Sequence, residues 1–224
     1  MLTPYDWQEG IGNRAQYIEG KLSQGSPILA VSLDAGILAF TFRRRARKIY
    51  EIYDRLLFAG LGQQSDVEAV RLAALEFASR EGFQRSEADV TIQRVATAMS
   101  APLKKAFGDF GSSPLVARSL FAEVGDRIED DAYYILDYDG DFAPARRHAA
   151  VAGTLEAGER LDEALKGVEA SLWPEEAMER LKEIWRSLES DGDHREDGLS
   201  PEALLLERAS GRVDRFRLLT PEEF

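Results

Sequence analysis

Residues 26–78 read SPILAVSLDAGILAFTFRRRARKIYEIYDRLLFAGLGQQSDVEAVRLAALEFA. Within this run, residues 28–33 and 36–42 are apolar, β-branched or aromatic, and Asp34-Ala35-Gly36 between them has hairpin-turn chemistry. Lys48 to Tyr53 alternates and Leu56 to Leu61 is continuously apolar, so two more strands are expected. Gly60 and Gly62 then break the pattern. Ser65 is the expected N-cap of a helix, with Glu68 completing a capping box. Val67, Val70, Leu75 and Phe77 mark the helix, and Gly82 is expected at its C′ position.

Working outward, a second helix is expected near Asp89, with Ile92, Val95, Ala96, Met99 and Leu103 on one face. Strands follow at Leu115–Glu123, Ala132–Tyr138 and His148–Ala152, with turn chemistry at Asp137-Tyr138-Asp139-Gly140. Helices are expected over roughly 154–168 and 174–189, the second opening on Pro174. The polar stretch 189–200 reads as a loop, and strands at Glu202–Glu207 and Val213–Leu219 close the chain. Upstream, residues 7–24 form a helix candidate weakened by Gly10, Gly12 and Gly20. Runs of strands alternating with helix pairs predict an α+β fold: two antiparallel sheets face to face, with the helix pairs outside.

Composition narrows the function. The 224 residues suit one compact domain. No cysteine is present, so disulfide and thiol chemistry are excluded, and a cytoplasmic setting is expected. A net charge of −12 argues against a nucleic-acid partner. No apolar run approaches a membrane span and no signal-peptide pattern opens the chain, so no membrane partner is expected. His148 and His194 are the two histidines, too few for a His-based metal site.

Several ordered blocks resemble bacterial proteasome α subunits. Lys48-Ile49-Tyr50-Glu51-Ile52-Tyr53-Asp54-Arg55 with Phe58-Ala59 is similar to that family's K-I-x-E-L-Y-D-R-x-x-F-A block. Arg80-Glu81-Gly82-Phe83 and Asp89-Val90-Thr91 match its R-G-Y and D-V-T elements. Tyr134-Ile135-Leu136-Asp137-Tyr138-Asp139-Gly140 resembles Y-R-I-T-Y-D-G, and Val151-Ala152-Gly153-Thr154 the segment entering the next helix. The likeness spans roughly residues 10–188 and, weakly, the final strands. It implies the four-layer αββα sandwich of proteasomes and N-terminal-nucleophile hydrolases. It also implies a division into residues 1–24, a gate and ring-contact helix, and 25–224, the sandwich domain.

The resemblance implies a non-catalytic subunit of a 20S core particle. Seven copies would form the outer ring, cap rings of a separate proteolytic β subunit, and receive the C-termini of an ATPase or other ring activator. A catalytic β-type relative would instead expose an N-terminal nucleophile at the first strand. Ser26, preceded by Gly25, occupies that position. Pro27 stiffens the backbone beside it, and the acidic position falls near Phe42, which cannot ionise. Ser26 is therefore read as an ordinary residue at the start of a strand, with self-processing between Gly25 and Ser26 as the alternative. A further alternative is an orphan, non-proteolytic ring. No catalytic residue is expected in this chain.

By resemblance, Lys48 anchors an activator's C-terminal carboxylate, and Gly25 and Gly60 line the same pocket. An ammonium suits that role because a charge-assisted bond to a carboxylate is strong in a partly dry pocket. The other reading of Lys48 is a solvated member of the basic run Arg43-Arg44-Arg45-Ala46-Arg47. Residues 1–9 are the gate candidate through Tyr5, Asp6 and Trp7, although Trp7 stands where the Y-D-R pattern has arginine. A disordered tail is the alternative. Glu129-Asp130-Asp131 and Asp137 to Asp141 lack EF-hand spacing, and Gly60-Leu61-Gly62 precedes no Walker lysine. No metal, nucleotide or other cofactor is expected.

Overall fold

The computed structural model describes residues 4–188, 198–210 and 214–219. Most of the expected 189–200 loop, and Val213 of the last expected strand, lie outside the described residues. Strand β1 (Ile28–Leu33) illustrates the plan of the molecule, because both its faces are buried. Ile28 and Ala30 point into a core between two sheets, while Leu29, Val31 and Leu33 point the other way, under helices. A strand apolar at every position is the pattern of a sheet covered on both sides.

Strand β2 (Gly36–Arg43) returns antiparallel to β1, with Leu33 opposite Gly36. The turn is therefore Asp34-Ala35, and Gly36 already belongs to the strand. Its φ of +145° and the 2.1 Å that would separate a Cβ from the Leu206 carbonyl oxygen explain the glycine. Strands β3 (Ile49–Tyr53) and β4 (Leu56–Gly62) form the next hairpin. Helices α2 (Gln64–Gln84) and α3 (Ile92–Gly108) follow. Next come β5 (Ala117–Glu123), β6 (Ala132–Leu136), β7 (Phe142–Ala145) and β8 (His148–Val151). Helices α4 (Leu155–Leu165) and α5 (Pro174–Arg186) precede β9 (Ser200–Glu207) and β10 (Phe216–Leu218).

One five-stranded sheet has the order β10-β9-β2-β1-β8, the other β3-β4-β5-β6-β7. All pairings are antiparallel. Leu161, Leu165, Leu181, Ile184 and Trp185 cover the outer face of the first sheet. Val67, Val70, Ala74, Val95, Met99 and Leu103 cover that of the second. Between the sheets, Ile28, Ile37, Leu57, Leu120, Leu204 and Tyr133 interdigitate. Each such fully buried aliphatic or aromatic side chain stabilises by ~1.5–3 kcal/mol. The result is the expected four-layer αββα sandwich.

Three expectations need correcting. Gln63, not Ser65, is the N-cap of α2, and the Ser65 hydroxyl instead donates to Asp66 Oδ1 at 3.2 Å. Gly82 lies inside α2 rather than at C′. A Cβ there would fall 2.1 Å from the Tyr53 hydroxyl, so the glycine admits a tyrosine from β3. Strand β7 was not expected at all: it is a short, mostly exposed edge strand carrying Pro144, which leaves no alternating pattern.

Helix α1 (Pro4–Leu22) runs further upstream than the expected 7–24. Proline is tolerated in a first helical turn, where its missing N–H has no intrahelical partner. Ile18 and Leu22 are buried in the inter-sheet core, so α1 plugs one end of the sandwich. Gly10 has a packing reason, because a Cβ would stand 2.9 Å from the Phe110 ring.

Candidate functional site

The route from α1 into β1 is fixed at every step. Ser23 N donates to Glu19 O and Gly25 N to Leu22 O, each at 2.9 Å, closing the helix. A Cβ on Gly25 would meet Leu61 Cγ at 2.9 Å and Leu22 O at 3.1 Å, so the turn presses directly on β4. After Ser26, the Pro27 carbonyl accepts from Thr41 Oγ1 at 2.7 Å and Trp185 Nε1 at 3.1 Å. Those donors are buried, which makes the start of β1 a rigid wall.

Opposite this wall runs the β2–β3 loop with its basic residues. A buried carboxylate from β9, Glu202, holds it. Glu202 accepts from Lys48 N at 2.9 Å and Ile49 N at 3.3 Å, and pairs with Arg43 Nε at 3.5 Å and Arg47 Nε at 3.4 Å. With its backbone pinned, Lys48 reaches across to donate from Nζ to the Ser26 carbonyl oxygen at 2.7 Å. Burial lowers the lysine to about 8, with the nearby Glu202 carboxylate opposing that fall. Lys48 is thus still mainly charged at neutral pH.

Tyr50 forms the next part of the rim. Its hydroxyl donates to Arg47 O at 2.7 Å, and the Arg71 and Arg47 guanidiniums sit 4.8 Å and 5.5 Å from its ring centroid. Arg71 is held in turn by Glu68. Gly60 forms the floor, where a Cβ would stand 2.3 Å from Val67 Cγ1. The cavity, open on one side, has a volume of about 280 Å³, and Gly25, Ser26, Lys48 and Gly60 all line it. The structure therefore brings the expected pocket residues together.

Larger cavities, about 630 Å³, 750 Å³ and 330 Å³, open elsewhere. The first carries the Arg118–Asp137 pair, already closed by bonds of 2.8 Å and 3.1 Å. In the second, the ammonium of Lys166 is paired with Glu163.

The sequence profile of the family described as "Proteasome subunit" matches residues 23–194. The chain belongs to the proteasome subunit family. A protein of Xylanimonas cellulosilytica named proteasome subunit alpha is 36% identical over 154 residues, covering 67% of this chain and 63% of that protein. One of the same name from Thermobifida fusca is 32% identical over 146 residues, covering 64% and 58%. In both cases less than two thirds of the relative is spanned. A protein of that name from Jonesia denitrificans aligns over 224 residues at 29% identity, covering 96% of this chain and 91% of its own length.

Within this proteasome-family sandwich, Lys48 lies beside Ser26, while the position of the acid is aromatic. Lys48 Nζ binds the Ser26 carbonyl rather than its hydroxyl. Phe42, at the position of the acid, packs 4.6 Å from Trp185 and 5.2 Å from Phe40, between ring centroids. The gate candidates Tyr5, Asp6 and Trp7 lie in the first turns of α1, while residues 1–3 and the Tyr5 side chain are outside what is described. Trp7 packs edge-on against Phe110 at 4.9 Å, and Arg14 donates to Ala106 O and Ser112 O at 3.0 Å and 2.9 Å. That segment is tied to the end of α3.

In the two acidic clusters, Asp130, Asp131 and Asp137 are engaged by arginines. Asp131 forms a buried bidentate pair with Arg208 at 2.7 Å and 2.8 Å, and Asp130 pairs with Arg127. Asp137 is taken by Arg118. Among the described residues, no group of three or more potential ligands could hold a metal, and no helix is long and apolar enough to cross a membrane. Glu202, which holds the loop bordering the cavity, is missing from the sequence reading. Its signal was its phase: Glu202 shares a strand face with Leu204 and Leu206, which point into the inter-sheet core.

Proposed function

We propose that this chain is a non-catalytic, α-type proteasome subunit, working in the cytoplasm as one of seven copies in an outer ring. The ring stacks on a separate, proteolytic β-type subunit, restricts entry through its N-terminal segment, and docks an ATPase or other ring activator. Lys48, with Gly25 and Gly60 shaping the cavity, receives the activator's terminal carboxylate. Residues 1–24 supply the gate and ring contacts, with Tyr5, Asp6 and Trp7 nearest the pore. One observation carries the reading: Ser26 is clamped inside the chain, and the ammonium that could have activated it instead binds its carbonyl and faces a cavity.

The lowered Lys48 pKa beside Ser26 favours a second reading, a self-processing serine hydrolase. Native mass spectrometry, with a denatured mass recorded in parallel, separates the two. An uncut chain in a ring of seven, alone or with a co-produced β-type partner, supports the α reading. A chain beginning at Ser26 refutes it.

A further inference from the structure

The charge around the Lys48 cavity runs against the charge of the molecule. The chain carries −12 overall, yet Arg44, Arg45, Arg47 and Lys48 surround this opening. Two of these cations are already occupied: Arg47 by Glu202, and Lys48 by the Ser26 carbonyl. The carboxylate on the same rim, Glu68, is taken by Arg71. Arg44 and Arg45 are exposed and, among the described residues, have no carboxylate partner. The loop that bears them is anchored by Glu202 at Lys48 and Ile49, and both arginines line the cavity.

Elsewhere on this surface many arginines are neutralised by nearby carboxylates, as in Arg55–Glu123, Arg94–Glu81 and Arg127–Asp130. A concave opening of one sign on a body of the other sign concentrates the field and draws in a ligand of opposite charge. We propose that the cavity mouth selects an acidic peptide: a tail whose terminal carboxylate enters toward Lys48 and whose preceding Asp or Glu side chains pair with Arg44 and Arg45. This rests on the docking reading above and specifies its partner.

Shared lining sets where the acidic residues fall. Arg44, Arg45 and Lys48 all line this one cavity of about 280 Å³. At ~3.3–3.6 Å per extended residue, a tail ending at Lys48 passes the arginines within a few residues of its end. The acidic side chains therefore belong in the few positions just upstream of the C-terminus. A basic tail meets like charge there and is rejected, which gives selectivity as well as attraction.

The test uses the full chain co-assembled with its β-type partner and fluorescein-labelled octapeptides, with Kd read by fluorescence anisotropy. One peptide has three Asp residues upstream of a free C-terminal carboxylate; its controls carry Asn or Lys at those positions, or a C-terminal amide. The Asp peptide is expected to bind about three- to tenfold tighter than the Asn peptide, the range of one or two exposed ion pairs. The advantage is expected to shrink in high salt. Arg44→Gln/Arg45→Gln is expected to bring the ratio of Asn-peptide to Asp-peptide Kd close to one, and a ratio that stays at the wild-type value overturns the assignment to these two arginines. Equal binding of the Asp and Asn peptides by the wild type overturns the proposal while leaving carboxylate docking intact. If the amidated peptide binds as tightly as the free acid, or no peptide binds, docking itself fails and takes this inference with it.

Discussion

Replacing Glu202 by alanine removes a buried carboxylate shared by four groups of the β2–β3 loop. The side chains of Arg43 and Arg47 are 30% and 39% exposed, so their guanidiniums can turn toward solvent at modest cost. The amides of Lys48 and Ile49 have no such freedom. A buried donor left without a partner costs about 1–3 kcal/mol. Water entering the space left by alanine recovers part of that. The expected loss is therefore about 2–3 kcal/mol, which for a chain of this size lowers the melting temperature by roughly 4–12 °C. Glu202→Gln keeps a carbonyl acceptor and is expected to lose about half as much. Thermal unfolding measures the magnitude, and hydrogen exchange at the Lys48 and Ile49 amides locates it. Exchange should accelerate at those amides while the β2–β9 ladder stays protected. An unchanged melting temperature together with unchanged exchange at both amides would refute the reasoning that Glu202 organises the loop.

The lowered Lys48 pKa makes a prediction with a definite sign. Between about 8 and the ordinary 10.5 the folded chain binds fewer protons at this site than the unfolded one, so stability rises with pH across that window. Urea midpoints of wild type and Lys48→Met between pH 7.5 and 10 should show this increment only in the wild type, bounded by ~3 kcal/mol; carboxylate-peptide affinity should fall over the same window. Gly60→Ala drives a Cβ to 2.3 Å from Val67 Cγ1 and is expected to cost about 1–3 kcal/mol in chemical unfolding, recovered in part by Val67→Ala. Asp131→Asn strips the partner from Arg208, whose side chain is 9% exposed, and is expected to destabilise by about 3–5 kcal/mol. An equilibrium urea curve superimposable on the wild type would contradict that.

Much of the sandwich was legible because its strands announce themselves locally. β1, β2 and β4 are apolar on both faces, and Ile92, Val95, Ala96, Met99 and Leu103 mark α3 at helical spacing. What the pattern could not carry was decided by residues far apart in the chain. Gly82 resembles a helix stop, yet it serves Tyr53 across the α2–β3 contact. Ser65 resembles a cap, yet Asp66 does the tertiary work of accepting from Val116 N at 2.8 Å. The pocket was readable because Lys48 opens a recognisable block and the resemblance implies small residues at Gly25 and Gly60. Its organiser was not, since Glu202 lies 154 positions from the amide it holds, and a strand register is needed to join them. The helical start at Pro4 was hidden for a similar reason: the segment of α1 near Trp7 is tied to Phe110, beyond the end of α3.

The measurement that bears most directly on the central claim is intact-mass analysis of the chain, alone and with its co-purified β-type partner, after treatment with a peptide epoxyketone aimed at N-terminal nucleophiles. The account predicts an unmodified, full-length mass for this chain in both samples, with any adduct and any peptidase activity confined to the partner. A chain cut before Ser26 and carrying the adduct would contradict it.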